Sequence, residues 1–270
     1  MLTPEEIVFY REVTSTLANR EGAIVDLGCW FGGSSIALAQ GLPAPNSENS
    51  VQEKIIAFDL FIWEAWMPLH APYCVYEPGE SFLPEARRLT RDHAKSKVQL
   101  VRADLATYEW SGGPIKILVV DAMKSYELTR EIARNFFPSL QTGSLLIQQD
   151  FKYFHTSWIH LLHYRLREYF RLCRSVSNST TAAFEVLNPI PTELLRSATE
   201  FAELSDEEID ASFNHSLQLL EENERPKVAA AYVMHYIHVG RNERAREILK
   251  RYRHISDRGE FAHVFRSLSQ

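Results

Sequence analysis

Ala23-Ile24-Val25-Asp26-Leu27-Gly28-Cys29-Trp30-Phe31-Gly32-Gly33-Ser34-Ser35 begins as an apolar run and reaches an acid at Asp26. It then passes three glycines and opens into Ile36-Ala37-Leu38-Ala39, a stretch of helical composition. Strand, tight turn and helix in that order form the unit of an open α/β sheet. In such sheets ligands bind at the carboxyl ends of the strands, against helix N-termini with free backbone N–H groups. Gly28 and Gly32 let the backbone approach a ligand with no Cβ in between. A dinucleotide fingerprint needs glycine at position 30, where Trp30 stands, and a P-loop needs lysine where Ser34 stands. Both phosphate readings are weakened, and Asp26 suits a ligand bearing an ammonium group.

Downstream, Ile55-Ile56-Ala57-Phe58-Asp59, Val98 to Asp104, Ile115 to Asp121 and Leu145 to Asp150 are further apolar runs that close on an acid. Continuous apolar runs suit parallel strands covered on both faces. Acids recurring at strand ends point to a ligand site along one edge of a doubly wound sheet. Asp59, at the end of the second strand, stands where an α/β nucleoside site holds its ribose, because two carboxylate oxygens can accept from both hydroxyls. Thr3-Pro4-Glu5-Glu6 predicts a helix start, with Ile7, Tyr10, Val13 and Leu17 toward a core. A loop is expected over 43–47 and helices over 80–93, 125–137 and 158–170. Pro138 and Gly143 bracket the turn into the fifth strand. Trp63, Trp66, Tyr73 and Tyr76 form an aromatic connection that reads either as a lid over a cofactor and substrate or as packing. Leu172 to Val176 and Thr181 to Leu187, with Asn178-Ser179 between them, predict an antiparallel hairpin.

Asp26-x-Gly28-x-x-x-Gly32-x-Ser34 resembles the first motif of class I S-adenosylmethionine-dependent methyltransferases, and the resemblance spans roughly residues 20 to 188. It implies a doubly wound, seven-stranded, mostly parallel sheet of Rossmann-like methyltransferase fold. It also implies a cofactor shell of Asp26, Gly28, Trp30, Gly32, Ser34, Ser35, Asp59, Leu60, Asp104, Leu105 and Asp121, with Asp59 on the ribose and Asp104 on the adenine amino group. The later strands look most like the macrocin O-methyltransferase type, in which strand-end acids hold a divalent metal that lowers the pKa of substrate hydroxyls. Here the pattern is Asp121-Ala122-Met123-Lys124-Ser125-Tyr126, then Gln148-Gln149-Asp150. A magnesium ion would keep Asp121, Gln149 and Asp150; Met123, Lys124 and Gln149 depart from the family's acid, histidine and acid. With no metal, a side chain must serve as base, and His155, just past the fifth strand, is the candidate. Lys124 is the alternative, orienting an anionic substrate or taking the proton. His160 and His163 carry no pattern.

The chain has 270 residues and a net charge of −6, which suits one α/β domain with an appendage and argues against a nucleic-acid backbone as partner. Basic residues from Arg241 to Arg253 read as a solvated helix face. Cys29, Cys74 and Cys173 make neither a metal spacing nor a disulfide framework, the N-terminus has no signal-peptide pattern, and no run is long enough to span a bilayer. A soluble, cytoplasmic protein is expected. Pro189-Ile190-Pro191 marks a boundary between a cofactor-binding domain over 1–190 and a helical extension over 191–270. In that extension Val228, Ala231, Tyr232 and His235, then Ala245, Ile248, Leu249 and Tyr252, flank Gly240 as a tetratricopeptide-like hairpin, read as a cap or oligomer contact. The expected activity is methyl transfer to oxygen of a small hydroxylated metabolite. The rivals are a cofactor-binding protein without turnover and an enzyme that uses the sulfonium for another alkyl transfer or a cyclisation.

Overall fold

Thr3 caps the first helix as predicted. Its hydroxyl accepts from the Glu6 N–H at 3.2 Å and the Glu6 carboxylate accepts from the Thr3 N–H at 2.7 Å, so α1 (Pro4–Leu17) starts on a complete capping box. The computed structural model describes residues 2–43, 53–202, 204–252 and 264. The loop expected over 43–47 lies, beyond Pro43, outside the described residues. Among the described residues, β1 (Ala23–Leu27), β2 (Ile55–Asp59), β3 (Val98–Arg102), β4 (Ile115–Val120), β5 (Leu140–Gln148), β6 (Phe170–Ser175) and β7 (Ala182–Val186) form one sheet in the order β3-β2-β1-β4-β5-β7-β6. The first five strands pair in parallel, and β7 runs antiparallel to both β5 and β6. This is the doubly wound, mostly parallel sheet of a Rossmann-like methyltransferase fold.

Alternation along the central strands sends side chains to two covered faces. Ile24, Ile55, Ile117 and Ile147 pack with Phe9 and Tyr10 of α1 and with Ala37 and Leu38 of α2 (Gly33–Gly41). Ala57 continues that face toward Phe82 and α3 (Leu83–Ala94). Val25, Leu118, Val120 and Leu146 face the opposite layer, with α4 (Tyr126–Phe136) and α5 (Ser157–Arg165). The same buried apolar cluster continues into the extension: α6 (Thr192–Ala198), α7 (Asp206–Leu219), α8 (Arg225–His238) and α9 (Asn242–Arg251). Val228, Ala231, Tyr232, His235, Ala245 and Ile248 are buried in it, so the helical periodicity of the tail marked real packing positions.

Several boundaries differ from those the sequence predicts. β5 begins at Leu140, paired with Ile115, and Gly143 lies inside it at φ +82°, near an irregularity in the β4–β5 register. A positive-φ glycine reads locally as a turn, although here it kinks a strand. The aromatic connection splits in two. Trp63 is buried beside Tyr76 and Phe82, while Tyr73 is exposed on the surface. Among the described residues no helix is long and apolar enough to cross a membrane.

Candidate active site

At the carboxyl end of β1 the backbone turns through left-handed conformations at Gly28 (φ +84°), Trp30 (φ +49°) and Gly32 (φ +85°). A Cβ on Gly28 would lie 2.8 Å from the Asp121 carbonyl oxygen, so glycine there serves both backbone conformation and close packing against the end of β4. Gly32 is the N-cap of α2, with no side chain capping it. Asp26 is fully buried behind this turn. Its Oδ2 accepts from the hydroxyls of Ser34 at 2.7 Å and Ser35 at 2.5 Å, tying the strand to the first turn of the helix. Its Oδ1 is buried with no partner among the described residues, and burial pushes the carboxyl up to about 6.

Asp59 fastens the neighbouring loop. Its Oδ2 accepts from the Trp30 N–H and its Oδ1 from the Phe61 N–H, each at 2.8 Å, and burial raises its pKa. Each oxygen keeps a further lone pair. Phe61 sits at φ +53°, so this carboxylate holds two strained backbone positions at once. Beyond β3, Asp104 closes a short turn by accepting from the Ala106 N–H at 2.9 Å.

These strand ends meet in a cleft of about 590 Å³, lined by Gly28, Trp30, Asp59, Leu60, Asp104, Leu105, Asp121, Lys124, Gln149 and Asp150 among others. The volume lies within the range of small-molecule pockets, roughly 300–1,000 Å³. Of the proposed cofactor residues, Asp26, Gly32, Ser34 and Ser35 stand behind the lining and shape the turn from beneath.

The β4 and β5 ends are arranged differently. The Lys124 ammonium reaches Asp121 Oδ1 at 2.5 Å and also bonds Asp150 Oδ2. Burial pushes Asp121 up to about 7, aided by Asp150 and opposed by Lys124. Burial alone would lower the Lys124 pKa, but the two carboxylates outweigh it and hold the value above that of an ordinary lysine. The Gln149 amide oxygen accepts from the Tyr10 hydroxyl at 3.1 Å. Met123 is buried, its carbonyl accepting from Trp158 Nε1 at 2.8 Å. The donor set expected for magnesium is therefore not presented to an ion. An ammonium occupies the two carboxylates and the amide oxygen is engaged elsewhere. No group of three or more His, Cys, Asp or Glu suited to a metal occurs among the described residues. The residues present do not fit a divalent ion.

His155 is not brought to the cleft. The chain after β5 turns its ring onto Phe154, at 4.1 Å between centroids, and toward His238 of α8 at 5.9 Å. The imidazole on the cleft wall is that of His70, with its ring 5.7 Å from that of Trp66, and Trp66 alone of the four aromatic-connection residues lines the site. His160 and His163 are core residues, pushed down to about 3 by burial; His160 Nδ1 pairs with the Ser216 hydroxyl at 3.0 Å. Sequence reasoning also missed the contribution of α1. Glu6, almost fully buried, lines the cleft and accepts from the Thr181 hydroxyl at 2.5 Å. From the described part of the extension only Lys227 reaches the lining.

No known sequence family and no curated protein matches the chain. Solved structures do. The O-methyltransferase NovP aligns at 17% identity over 68% of this chain and 80% of its own, with a TM-score of 0.52. The calicheamicin methyltransferase CalS11 aligns at 15% identity over 67% and 78%, with a TM-score of 0.48. A putative rRNA methylase from Clostridium thermocellum aligns at 14% over 70% and 100%, with a TM-score of 0.47. The likeness to NovP shows a shared fold.

Proposed function

We propose that this chain is an S-adenosylmethionine-dependent methyltransferase acting on a hydroxyl oxygen of a small metabolite, of sugar or natural-product type. The observation that carries this is the convergence of the left-handed glycine turn, Asp59 and Asp104 on one cleft, in a sheet with methyltransferase strand order. The residues fit the cofactor. Asp59 has spare lone pairs for the ribose hydroxyls, Asp104 has acceptor capacity for the adenine amino group, and the unpartnered Asp26 oxygen beneath the turn attracts positive charge.

Bound there, S-adenosylmethionine supplies a methyl carbon activated by a sulfonium. Transfer of that methyl to an acceptor oxygen would require the chain to hold the two in line and to take up one proton. Asp121 lines the cleft with a carboxylate that burial makes more basic than an ordinary one, which suits it to accept that proton. Lys124 remains protonated and acts as a donor. The lining carries six carboxylates (Glu6, Asp59, Glu64, Asp104, Asp121, Asp150) against two lysines (Lys124, Lys227), which favours a small uncharged acceptor over a polyanionic nucleic acid. The helical extension, docked through α7 and α8, is read as a support for the acceptor side and a surface for self-association. The three cysteines are unpaired, which suits a reducing cytoplasm.

Calorimetry of the purified protein with S-adenosylmethionine and S-adenosylhomocysteine tests the proposal. One site per chain for each is expected, and absence of both overturns it. Methyl-labelled cofactor offered with a panel of hydroxylated acceptors then separates transfer from binding alone.

A further inference from the structure

The acceptor side of the cleft contains a cation of its own. Asp121 and Asp150 come from the ends of two adjacent parallel strands, an arrangement that would suit a hard divalent ion if its remaining positions were oxygen ligands and water. In this chain the Lys124 ammonium bridges both carboxylates. The segment that carries it is fixed at both ends. Asp121 N–H donates to the Leu27 carbonyl at 2.8 Å, and the Ser125 hydroxyl caps α4 by accepting from the Leu128 N–H at 3.1 Å. Met123, anchored through its carbonyl to Trp158, keeps the intervening loop on the core. A third oxygen ligand is also withdrawn, since Tyr10 holds the Gln149 amide oxygen.

We infer that Lys124 is a resident cation that excludes divalent metal from the Asp121–Asp150 pair and donates its remaining N–H to the acceptor oxygen. An ammonium has three N–H donors, and two are used by the carboxylates. Among the described residues the third has no protein acceptor, while the side chain is half exposed in the cleft. Tethering decides the competition. A covalently held ammonium faces the carboxylates at a high effective concentration, whereas a free ion must displace it. Removing the lysine leaves two uncompensated carboxylates on adjacent strands, which is a site for a hard cation. The ligand class at this position is thus a neutral hydroxyl that accepts a hydrogen bond from the ammonium while donating its proton toward Asp121. That acceptor role rests on the proposed methyl transfer; the exclusion of metal does not.

Manganese(II), followed by the loss of its free-ion electron paramagnetic resonance signal, is the probe. The wild-type chain is expected to leave the signal intact up to about 1 mM, and Lys124→Ala to take up one ion per chain at least about tenfold more tightly than wild type. Adding Asp150→Asn to Lys124→Ala should abolish that uptake. A wild-type chain that binds one manganese ion, lost in Asp150→Asn, overturns the inference, as does a folded Lys124→Ala chain that binds none. If Lys124→Ala does not fold, the wild-type titration and Lys124→Met, which keeps the stem, decide the matter in the same way. Neither cofactor nor acceptor enters this measurement. A failure here therefore leaves methyl transfer standing, and a failure to bind S-adenosylmethionine leaves the ion assignment standing.

Discussion

The β1–β3 half of the cleft and the β4–β5 half both set aspartates at strand ends, and they treat those carboxylates in opposite ways. Asp26 and Asp59 accept from neutral donors, two serine hydroxyls in one case and two backbone N–H groups in the other. No cation of the chain touches them among the described residues, and burial raises both pKa values. Asp121 and Asp150 instead share a lysine ammonium. One half therefore presents uncompensated negative charge in a fixed frame, which is complementary to a cationic ligand, and the other has its counter-charge built in. The contrast predicts that substitutions in the first half act on cofactor binding and those in the second on turnover.

Gly28 joins the halves, and its replacement should have the largest effect. A side chain there meets the Asp121 backbone and demands a left-handed conformation that valine resists. Gly28→Val should cost about 3 kcal/mol of stability through strain at that position. It should also weaken cofactor affinity about a hundredfold by displacing the turn. Thermal melting and calorimetry check the two separately. If cofactor affinity is unchanged in a folded variant, the turn is not part of the cofactor site.

The contrast itself is tested by a pair of substitutions. Asp59→Ala removes the acceptor for Trp30 and Phe61 and any ribose contact, so cofactor affinity should fall about thirtyfold or more. Asp150→Ala should leave that affinity within about threefold, yet slow methyl transfer about a hundredfold, because Lys124 loses one of its two anchors. The reverse pattern would break the assignment of the two halves.

Asp26 makes the first half pH-sensitive in a definite direction. Its pKa in the fold, about 6, exceeds the ordinary value of 3.8. Below about pH 3 the folded and unfolded chains are both protonated there, and the group contributes nothing. As pH rises from about 3 through 6 the unfolded chain ionises first, so native stability falls, and the full penalty is present above about pH 7. Asp26→Asn should therefore raise the unfolding free energy of the cofactor-free protein by about 2–3 kcal/mol at pH 8 and leave it nearly unchanged at about pH 3. The same variant should bind the cationic cofactor more weakly at pH 8. Greater stability together with weaker binding is the signature of charge held for a ligand; a variant less stable at pH 8 than at pH 3 relative to wild type would reverse the sign.

The two halves also differed in how far they could be read in advance. Asp26, Gly28, Asp59 and Asp104 stand at the ends of apolar runs that suit parallel strands, so their placement along one sheet edge is expected from local pattern and the rules of open sheets. The closing hairpin is legible from its own two runs and the turn between them, whereas the seven-stranded sheet is what the family resemblance implies and the strand order comes from the structure. Position in sequence does not tell which donor a carboxylate meets. Lys124 reads as a lost histidine until the fold brings the end of β5 beside it, 26 residues away. Tyr10 and Glu6 begin a well-signalled helix, but their partners Gln149 and Thr181 lie 139 and 175 residues on. His155 reads as a base because an imidazole near a strand end suits base catalysis, whereas packing against Phe154 and His238 turns it away. Gly143 misled in the other direction, since a left-handed glycine is equally at home in a turn and in an irregular strand.

Tyr10→Phe should have the smallest effect and isolates one part of the acceptor half. It removes the hydrogen bond from a buried phenol to the Gln149 amide and frees that amide oxygen without touching Lys124. The loss should be about 1 kcal/mol of stability, with cofactor affinity unchanged, because no strand-end acid of the first half depends on it. Manganese binding should remain absent, since two carboxylates still held by an ammonium offer no open coordination site whatever the amide does. If Tyr10→Phe alone admitted the ion, the amide, and not the lysine, would be what keeps metal out. The two halves of the cleft would then differ by one hydrogen bond from α1 rather than by a built-in charge.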